Sequence, residues 1–280
     1  MKKGINIWSF PQADIAGNIR LAKTAGFDGI ELALNETGPL SLQSTDEQIA
    51  SYRALADAEG IEITSLATGL YWTYSLTSPD AQRRAKAMDI VRFQLKAAKL
   101  LGVDAILVVP GCVGADFAAE TEPVPYDVAY DRAREAMRVL APEAEAMGVK
   151  IGLENVWNKF LLSPLEMRQL IDEIGSPYVG CYFDVGNVVR TGYPEHWIDI
   201  LGSRIVRVHI KDFSEQVGNI AGFVDLLAGD TNFPAVTAAL ERIGYTGYLT
   251  AEMGTYKHYA QASIDNISRS MDYILGRVAQ

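Results

Sequence analysis

The sequence predicts an α/β fold, a single (β/α)8 barrel that occupies residues 1–280 as one domain. Short β-branched apolar runs alternate with longer segments of helical periodicity, and there are eight rounds of this alternation. A glycine that would end a helix comes shortly before several of the strands, in phrases such as AGFDGIEL, LGVDAILVV and MGVKIGLEN. A doubly wound sheet would show a glycine-rich phosphate turn after its first strand, and the residues from Trp8 to Gln12 contain no glycine.

Each predicted strand is a short apolar run that ends in polar residues or glycine. In chain order, the predicted strands are Gly4–Ser9, Asp28–Leu34, Glu62–Ala67, Ala105–Pro110, Lys150–Asn155, Gly180–Val185, Ile205–Lys211 and Tyr248–Met253. The first run is short and is interrupted by Asn6, which is typical of a strand and not of a secretory signal.

The segments between the strands have the periodicity of amphipathic helices. In chain order, the predicted helices are Ala13–Ala25, Thr45–Glu59, Asp80–Leu101, Tyr126–Met147, Pro164–Ile174, Glu195–Leu201, Phe233–Ile243 and Tyr259–Leu275. Ser163 and Asn232, each followed by an early proline, are typical of helix starts. Six glycines are expected to end helices in the left-handed conformation, namely Gly26, Gly60, Gly102, Gly148, Gly175 and Gly244. The longest irregular stretch, Gly111–Pro125, follows the fourth strand and is expected to lie over the barrel mouth.

The composition is typical of a globular protein, because 49% of the residues are hydrophobic and 21% are charged. The balance of 25 Lys and Arg against 35 Asp and Glu gives a net charge of −10, which disfavours nucleic acid and anionic membranes as partners. No apolar run approaches the roughly 20 residues that span a bilayer, and two cysteines cannot form a disulfide framework. We therefore expect a cytoplasmic protein that binds a small molecule, and a homo-oligomer is an open alternative.

Four strong metal-ligand residues stand at the carboxyl ends of the last four predicted strands, where the chemistry of such barrels gathers. They are Glu154, Asp184, His209 and Glu252. Side chains alternate faces along a strand, so the apolar neighbours should pack under the outer helices and leave the ionisable side chains facing the barrel interior. These neighbours are Ile151, Leu153, Val206, Val208, Ile210, Leu249 and Ala251.

Three carboxylates and an imidazole at one place would be strongly unfavourable in a low-dielectric interior unless a cation bound them. Their mixed oxygen and nitrogen donors suit Mn²⁺, Mg²⁺ or Co²⁺ more than zinc, which prefers thiolates. The sequence therefore predicts one divalent ion, with Mn²⁺ as the first choice.

Nearly the whole chain resembles the xylose-isomerase-like barrel superfamily, in the branch that includes tagatose/psicose 3-epimerases and pentulose-phosphate 3-epimerases. The motifs that carry the resemblance are, in chain order, GFDGIEL, GLEN, YFDVGN, VHIKD, AGDTNFPAV and TAEM. The resemblance implies an isomerase whose single divalent cation is bound by Glu154, Asp184, His209 and Glu252. It also implies that Glu154 and Glu252 are the acid and base that epimerise C3 of a sugar or sugar phosphate through an enediolate.

Two positions differ from the free-ketohexose 3-epimerases, which have a histidine where this chain has Asn187 and an arginine where it has Glu215. The DVGN and HIKD motifs are more similar to those of the sugar-phosphate epimerases, in which Lys211 could reach a substrate oxygen. Asn187 and Lys211 are therefore substrate-binding candidates.

Further substrate-binding candidates lie near the predicted strand ends. Glu31 could bind a sugar hydroxyl, and the rings of Trp8, Trp72 and Trp157 could stack on sugar C–H groups. The basic residues nearest the predicted site loops could meet a phosphate, and they are Lys159, Arg190 and Lys257.

The same metal and glutamates would also serve an aldose–ketose isomerase of the hydroxypyruvate isomerase type, or a dehydratase of the inosose type. A related abasic-site endonuclease would need a histidine-rich zinc cluster and a basic face for DNA, and three histidines with a charge of −10 argue against it. A non-catalytic sugar-binding barrel would not require both glutamates.

Overall fold

A closed barrel of parallel strands forms the centre of the protein. The computed structural model describes residues 1–11, 14–117 and 122–278. The strands, in chain order, are Lys2–Asn6 (β1), Gly29–Leu34 (β2), Glu62–Thr68 (β3), Ala105–Val108 (β4), Lys150–Glu154 (β5), Val179–Asp184 (β6), Ile205–Ile210 (β7), Asp212–Phe213 (β8), Phe223–Val224 (β9) and Tyr248–Ala251 (β10). The barrel ring runs β1-β10-β7-β6-β5-β4-β3-β2, and β8 and β9 form a separate antiparallel pair. The predicted (β/α)8 barrel is confirmed.

Helices alternate with the barrel strands along the chain. They are Ile15–Thr24 (α1), Asp46–Glu59 (α2), Ala81–Leu101 (α3), Tyr126–Met147 (α4), Pro164–Ile174 (α5), Gly186–Val189 (α6), Pro194–Leu201 (α7), Phe233–Arg242 (α8) and Ala260–Ile274 (α9). The short helix α6 and the β8–β9 pair were not predicted. The predicted start of the first helix at Ala13 lies outside the described residues.

The predicted first strand ends too late. It stops at Asn6, and Ile7–Ser9 form a short 3-10 helix because the Asn6 side chain accepts a hydrogen bond from the backbone N–H of Trp8. The other strand ends lie within two residues of the prediction. Trp8 and Glu252 therefore stand just beyond their strands, at the barrel mouth.

The glycines predicted to end helices all have a positive φ, between 68° and 81°. This left-handed conformation lets the chain leave a helix and enter the next strand without a steric penalty. Ser163 and Asn232 cap α5 and α8 as predicted, since each side chain accepts a backbone N–H from the first turn. These local signals explain why the boundaries of the helices were predictable.

Six of the seven apolar neighbours of the candidate ligands are fully buried, as predicted. Val206 is the exception. Cys181 on β6 pairs with Ile205, whereas the next residue of β6 pairs with Arg207, so β7 contains a bulge with one extra residue. The bulge turns Val206 towards Gly152 and Gly180, away from the outer helices.

The buried carboxylate of Asp212 joins two of the sequence motifs in one structure. It accepts hydrogen bonds from the backbone N–H groups of Phe213, Gly229 and Thr231. The aspartate of VHIKD thus holds the AGDTNFPAV loop against β8, just after the end of β7. Within the described ranges, no helix is long and apolar enough to cross a membrane.

Candidate active site

The four predicted metal ligands come together at one end of the barrel. Glu154 and Asp184 are the last residues of β5 and β6, His209 lies near the end of β7, and Glu252 follows β10. One ligand atom from each of them lies within 4.8 Å of the others. Asp184 and His209 are fully buried and Glu154 is 6% exposed. The register of the parallel strands brings these residues to the same level, since Asp184 pairs directly with His209.

The Nδ1 atom of His209 marks the point where the carboxylates converge. It lies 2.8 Å from Glu252 Oε2, 3.4 Å from Glu154 Oε1 and 3.9 Å from Asp184 Oδ2. The other ring nitrogen, Nε2, donates to Glu31 Oε2 at 2.6 Å. Nδ1 is therefore the nitrogen that faces the cluster.

The residues present fit a divalent cation. The Nζ atom of Lys211 lies 3.0 Å from Asp184 Oδ2 and 3.0 Å from Glu252 Oε2, as an ion pair. Both carboxylate oxygens are buried, and neither has a partner in hydrogen-bonding geometry within the described residues. Buried carboxylate oxygens held mainly by the charge of neighbouring cations are suited to a metal ion, and three carboxylates with one imidazole favour Mn²⁺, Mg²⁺ or Co²⁺.

The pKa values in the cluster reflect burial and crowding of charge. Burial raises the pKa of Glu154 and of Asp184, and the nearby Glu252 carboxylate raises both further. Burial alone would also raise the pKa of Glu252, but the charges of Lys211 and His209 lower it. Burial alone would lower the pKa of His209, but the surrounding carboxylates raise it well above its ordinary value. A bound cation would stabilise the ionised carboxylates.

Glu31, predicted as a substrate-binding residue, contacts the Nε2 side of His209, whereas the carboxylate cluster lies at Nδ1. Its side chain is fully buried and does not line the cavity of about 260 Å³ that opens above the cluster. Its oxygens accept hydrogen bonds from His209 Nε2 and from three other side chains, those of Asn6, Ser65 and Tyr182. Burial alone would raise the pKa of Glu31, but His209 and these donors lower it. Glu31 is therefore an ionised group that orients His209.

Glu31→Gln is expected to weaken metal binding about 10- to 100-fold, because carboxylates that orient a ligating histidine contribute affinity of this size. The amide can still accept from His209 but carries no charge. Titration of the metal-free protein with Mn²⁺, followed by electron paramagnetic resonance, measures the change. Glu62→Gln is the matched control. Glu62 is the first residue of β3, at the end of the barrel opposite the cluster, where it binds Lys2 and Tyr248. Equal affinity in all three proteins would contradict a positioning role for Glu31.

Two members of the Glu31 network, Ser65 and Tyr182, were not predicted as part of a site. Tyr182 lies two residues before Asp184 and so faces the same side of β6, a signal that could have identified it. The sequence contains no such signal for Ser65, because the face of β3 on which its side chain lies depends on a register shift between β2 and β3. That shift lets Ser65 hydrogen-bond to both Glu31 and Tyr182.

A cavity of about 260 Å³ lies directly above the cluster, and we call it the central cavity. The charged residues that line it are Glu154, Glu252 and Lys211. Its apolar lining includes the three predicted tryptophans, Trp8, Trp72 and Trp157, together with Phe223 of β9. The predicted Asn187 also lines it, and its backbone N–H donates to Asp184 Oδ1 at 2.8 Å. Trp157 is held by a hydrogen bond from its indole N–H to the Asn187 carbonyl.

The sequence model of the xylose isomerase-like TIM barrel family matches residues 19–275. The chain belongs to this family. The match spans all four candidate ligands of this xylose isomerase-like barrel, and it confirms the resemblance found in the sequence.

Relatives of this xylose isomerase-like barrel are epimerases. The 2-epi-5-epi-valiolone 7-phosphate 2-epimerase of Actinoplanes sp. is 29% identical over 217 residues, which cover 77% of this chain and 74% of the relative. The L-ribulose-5-phosphate 3-epimerase UlaE of Salmonella paratyphi C is 23% identical over 273 residues, 93% of this chain and 89% of the relative. A solved D-psicose 3-epimerase with D-tagatose from Clostridium cellulolyticum H10 has a TM-score of 0.82 at 21% identity, with 99% of each chain covered. Epimerases are isomerases, in agreement with the predicted enzyme class.

Proposed function

We propose that this protein is a divalent-metal-dependent epimerase that inverts C3 of a ketose or ketose phosphate. The observation that carries the proposal is the placement of Glu154 and Glu252. Their strands, β5 and β10, are three positions apart on the barrel ring, and both side chains line the central cavity. A sugar bound between them would present one face to each carboxylate.

The four clustered residues Glu154, Asp184, His209 and Glu252 would hold the ion, for which we propose Mn²⁺. When bound, the ion supplies Lewis-acid stabilisation of the negative charge that develops on the oxygens of the sugar. Glu31 keeps His209 in the orientation that this site needs.

The proton transfers belong to the two glutamates. One carboxylate removes the proton from C3, and the other, in its protonated form, returns a different proton to the opposite face of the planar carbon. The configuration at C3 is thereby inverted, and the roles exchange in the reverse reaction. Two glutamates on one side of the cavity could not do this.

The other cavity residues bind and orient the sugar. We assign Lys211 a hydrogen bond to a substrate oxygen, because its ammonium group lies at the cavity wall beside Glu252. Trp8 and Trp157 would contact C–H groups of the sugar and exclude water from the reacting carbon. Asn187 fixes Trp157 and Asp184 relative to each other.

A panel of free and phosphorylated ketoses, incubated with the Mn²⁺-loaded protein in deuterated solvent, tests the function. Proton NMR shows which carbon exchanges its hydrogen and whether a second epimer forms. We expect exchange at C3 together with the C3 epimer. Transfer between C1 and C2 would indicate an aldose–ketose isomerase, and a new ultraviolet absorbance would indicate a dehydratase. Either result, or no exchange with any sugar in the panel, would contradict the proposal.

We also propose a cytoplasmic location. Cys112 and Cys181 are buried and free, and free thiols persist in reducing compartments. Mass spectrometry of the protein isolated without reductant, after alkylation under denaturing conditions, would show two free thiols.

A further inference from the structure

A second and larger cavity opens beside the central cavity, and we call it the side chamber. It lies between the loops that follow β5 and β6 and the loop that joins β8 to β9. Its volume is about 610 Å³, compared with about 260 Å³ for the central cavity. Both cavities share the walls formed by Trp157, Asn187 and Ile220. The two cavities are therefore adjacent at these side chains.

The lining of the side chamber is mainly apolar. Trp157, Phe160 and Trp197 contribute aromatic rings, and Leu162 and Ile220 contribute aliphatic side chains. Leu162 is 63% exposed and Ile220 is 54% exposed, so this apolar surface is open at the rim. A concave cavity of this size, lined by aromatic groups with a few polar ones, is typical of a small-molecule site. Its volume is far more than a phosphate group alone would need.

The charged groups of the side chamber leave one positive charge without a partner. Lys159 forms an ion pair with Asp116 at 2.6 Å. Arg190 is exposed and forms no ion pair with any residue that the structure describes, although the protein has a net charge of −10. Its guanidinium lies against Gly218, where a Cβ atom would be 2.8 Å from Arg190 Nη1. A guanidinium with free donors is suited to bind a carboxylate or phosphate.

A third cavity at the barrel mouth is lined by acidic residues. A cavity of about 440 Å³ extends from Glu252 past Trp8 to Asp225 and Tyr256. Asp225 accepts a hydrogen bond from the Tyr256 hydroxyl at 2.5 Å. Lys211 also lines this cavity, but its ammonium group already pairs with Asp184 and Glu252, whereas Arg190 forms no ion pair within the described residues. An anionic group would therefore favour the side that contains Arg190.

The loop that forms one wall of the side chamber has an uncommon backbone. Lys159 and Leu161 have φ values of 56° and 53°, in the left-handed region that non-glycine residues rarely adopt. Between them, Phe160 is buried. Asn158 holds the loop by donating to the Gly111 carbonyl and accepting from the Phe160 N–H. Such conformations are kept where surrounding structure over-determines them, as in ligand-binding walls.

We propose that the side chamber is a second subsite, which binds a ring-sized substituent of the sugar substrate that carries an anionic group, and that Arg190 binds this anion. The substrate class is then a sugar joined to an anionic ring, larger than a free ketose or a simple ketose phosphate. The inference rests on the proposed function for the identity of the sugar end. The subsite itself rests on the volume, the apolar lining and the free guanidinium.

Phenyl phosphate is a probe that combines a ring with an anion, and inorganic phosphate and phenol each provide one part. We expect phenyl phosphate to bind the metal-free protein about 10- to 100-fold more tightly than either, measured by calorimetry. In ¹⁵N-resolved NMR, the indole N–H signal of Trp157 should shift, and Trp157→Phe assigns it. Trp72 lines the central cavity but not the side chamber, so its indole N–H signal should not move.

Arg190→Met should weaken phenyl phosphate about 10- to 100-fold and leave phenol unchanged, because only the charged hydrogen bonds are lost. Arg190→Lys should retain part of the affinity. Arg269→Met is the matched control, since Arg269 is exposed on α9 and contacts Tyr273. Equal affinities of phosphate and phenyl phosphate, or no effect of Arg190→Met, would overturn the proposal.

The binding experiment uses neither metal nor sugar, so its outcome is independent of the epimerase function. If phenyl phosphate binds as expected and no ketose reacts, the subsite stands and the proposed function fails. If phenyl phosphate does not bind and Ile220→Glu converts a dimer to a monomer in sedimentation, the chamber is an interface between two copies and the proposal is wrong.

Discussion

Replacing Glu252 or Glu154 by glutamine is expected to lower kcat about 10²–10⁴-fold, because the amide keeps the shape of the side chain but transfers no proton. The two variants should fail differently. In deuterated solvent, the variant that keeps the base for a given substrate epimer should still exchange the C3 proton without forming the other epimer. The variant that lacks this base should neither exchange nor epimerise.

The assignment of the base depends on the configuration of the substrate, so each variant is assayed with both C3 epimers. Starting from the other epimer should exchange the behaviour of the two variants. Glu241→Gln, an exposed position on α8, is the control for the substitution itself. Near-normal epimerisation by both variants would show that Glu154 and Glu252 serve only as metal ligands.

Asp184→Ala is expected to abolish metal binding and activity while the barrel remains folded. Asp184 is fully buried and pairs with His209 across β6 and β7, so its loss removes a central ligand. For the wild-type protein, Mn²⁺ at 100 times its Kd should add about 2.7 kcal/mol to the free energy of unfolding. The variant should show no such increase in thermal denaturation, and chelation should abolish the increase in the wild-type protein.

His209→Ala should behave in the same way, since its Nδ1 is the nitrogen at the centre of the carboxylates. Asp199→Ala is the matched control, because Asp199 lies on α7 and pairs with Arg242 on the outer surface. Elemental analysis of the purified proteins measures the metal content. Full occupancy in Asp184→Ala or His209→Ala would contradict the proposed ligand set.

Much of the barrel was predictable because its signals are local. The glycines end helices because they adopt a positive φ, and the capping side chains bind backbone N–H groups within the first turn of their own helix. The alternation of faces along a strand placed Glu154 and His209 on the inward side, and eight rounds of strand and helix implied the closed ring. Four candidate ligands at consecutive strand ends of the barrel then had to meet at one mouth.

The sequence did not predict the features that depend on contacts across the barrel. Glu31 faces inward as its strand predicts, but its depth depends on the register of β2 against the rest of the ring, and this register places it beneath His209, 178 residues later in the chain. Two register shifts, one at Ser65 and one at Val206, change which side chains face inward. A bulge adds one residue to a strand and leaves little signal in the sequence around it.

By itself, the sequence determined the strand–helix order, the inward parity of the candidate ligands and the family. These properties depend on side chains and backbone angles within a few residues. Only the tertiary structure decided that Glu31 supports His209, that Lys211 pairs with Asp184 and Glu252, and that Arg190 faces a chamber beside the cluster. The physical reason is that strand register, bulges and loop packing are set by contacts between segments far apart in the chain, which no local pattern encodes.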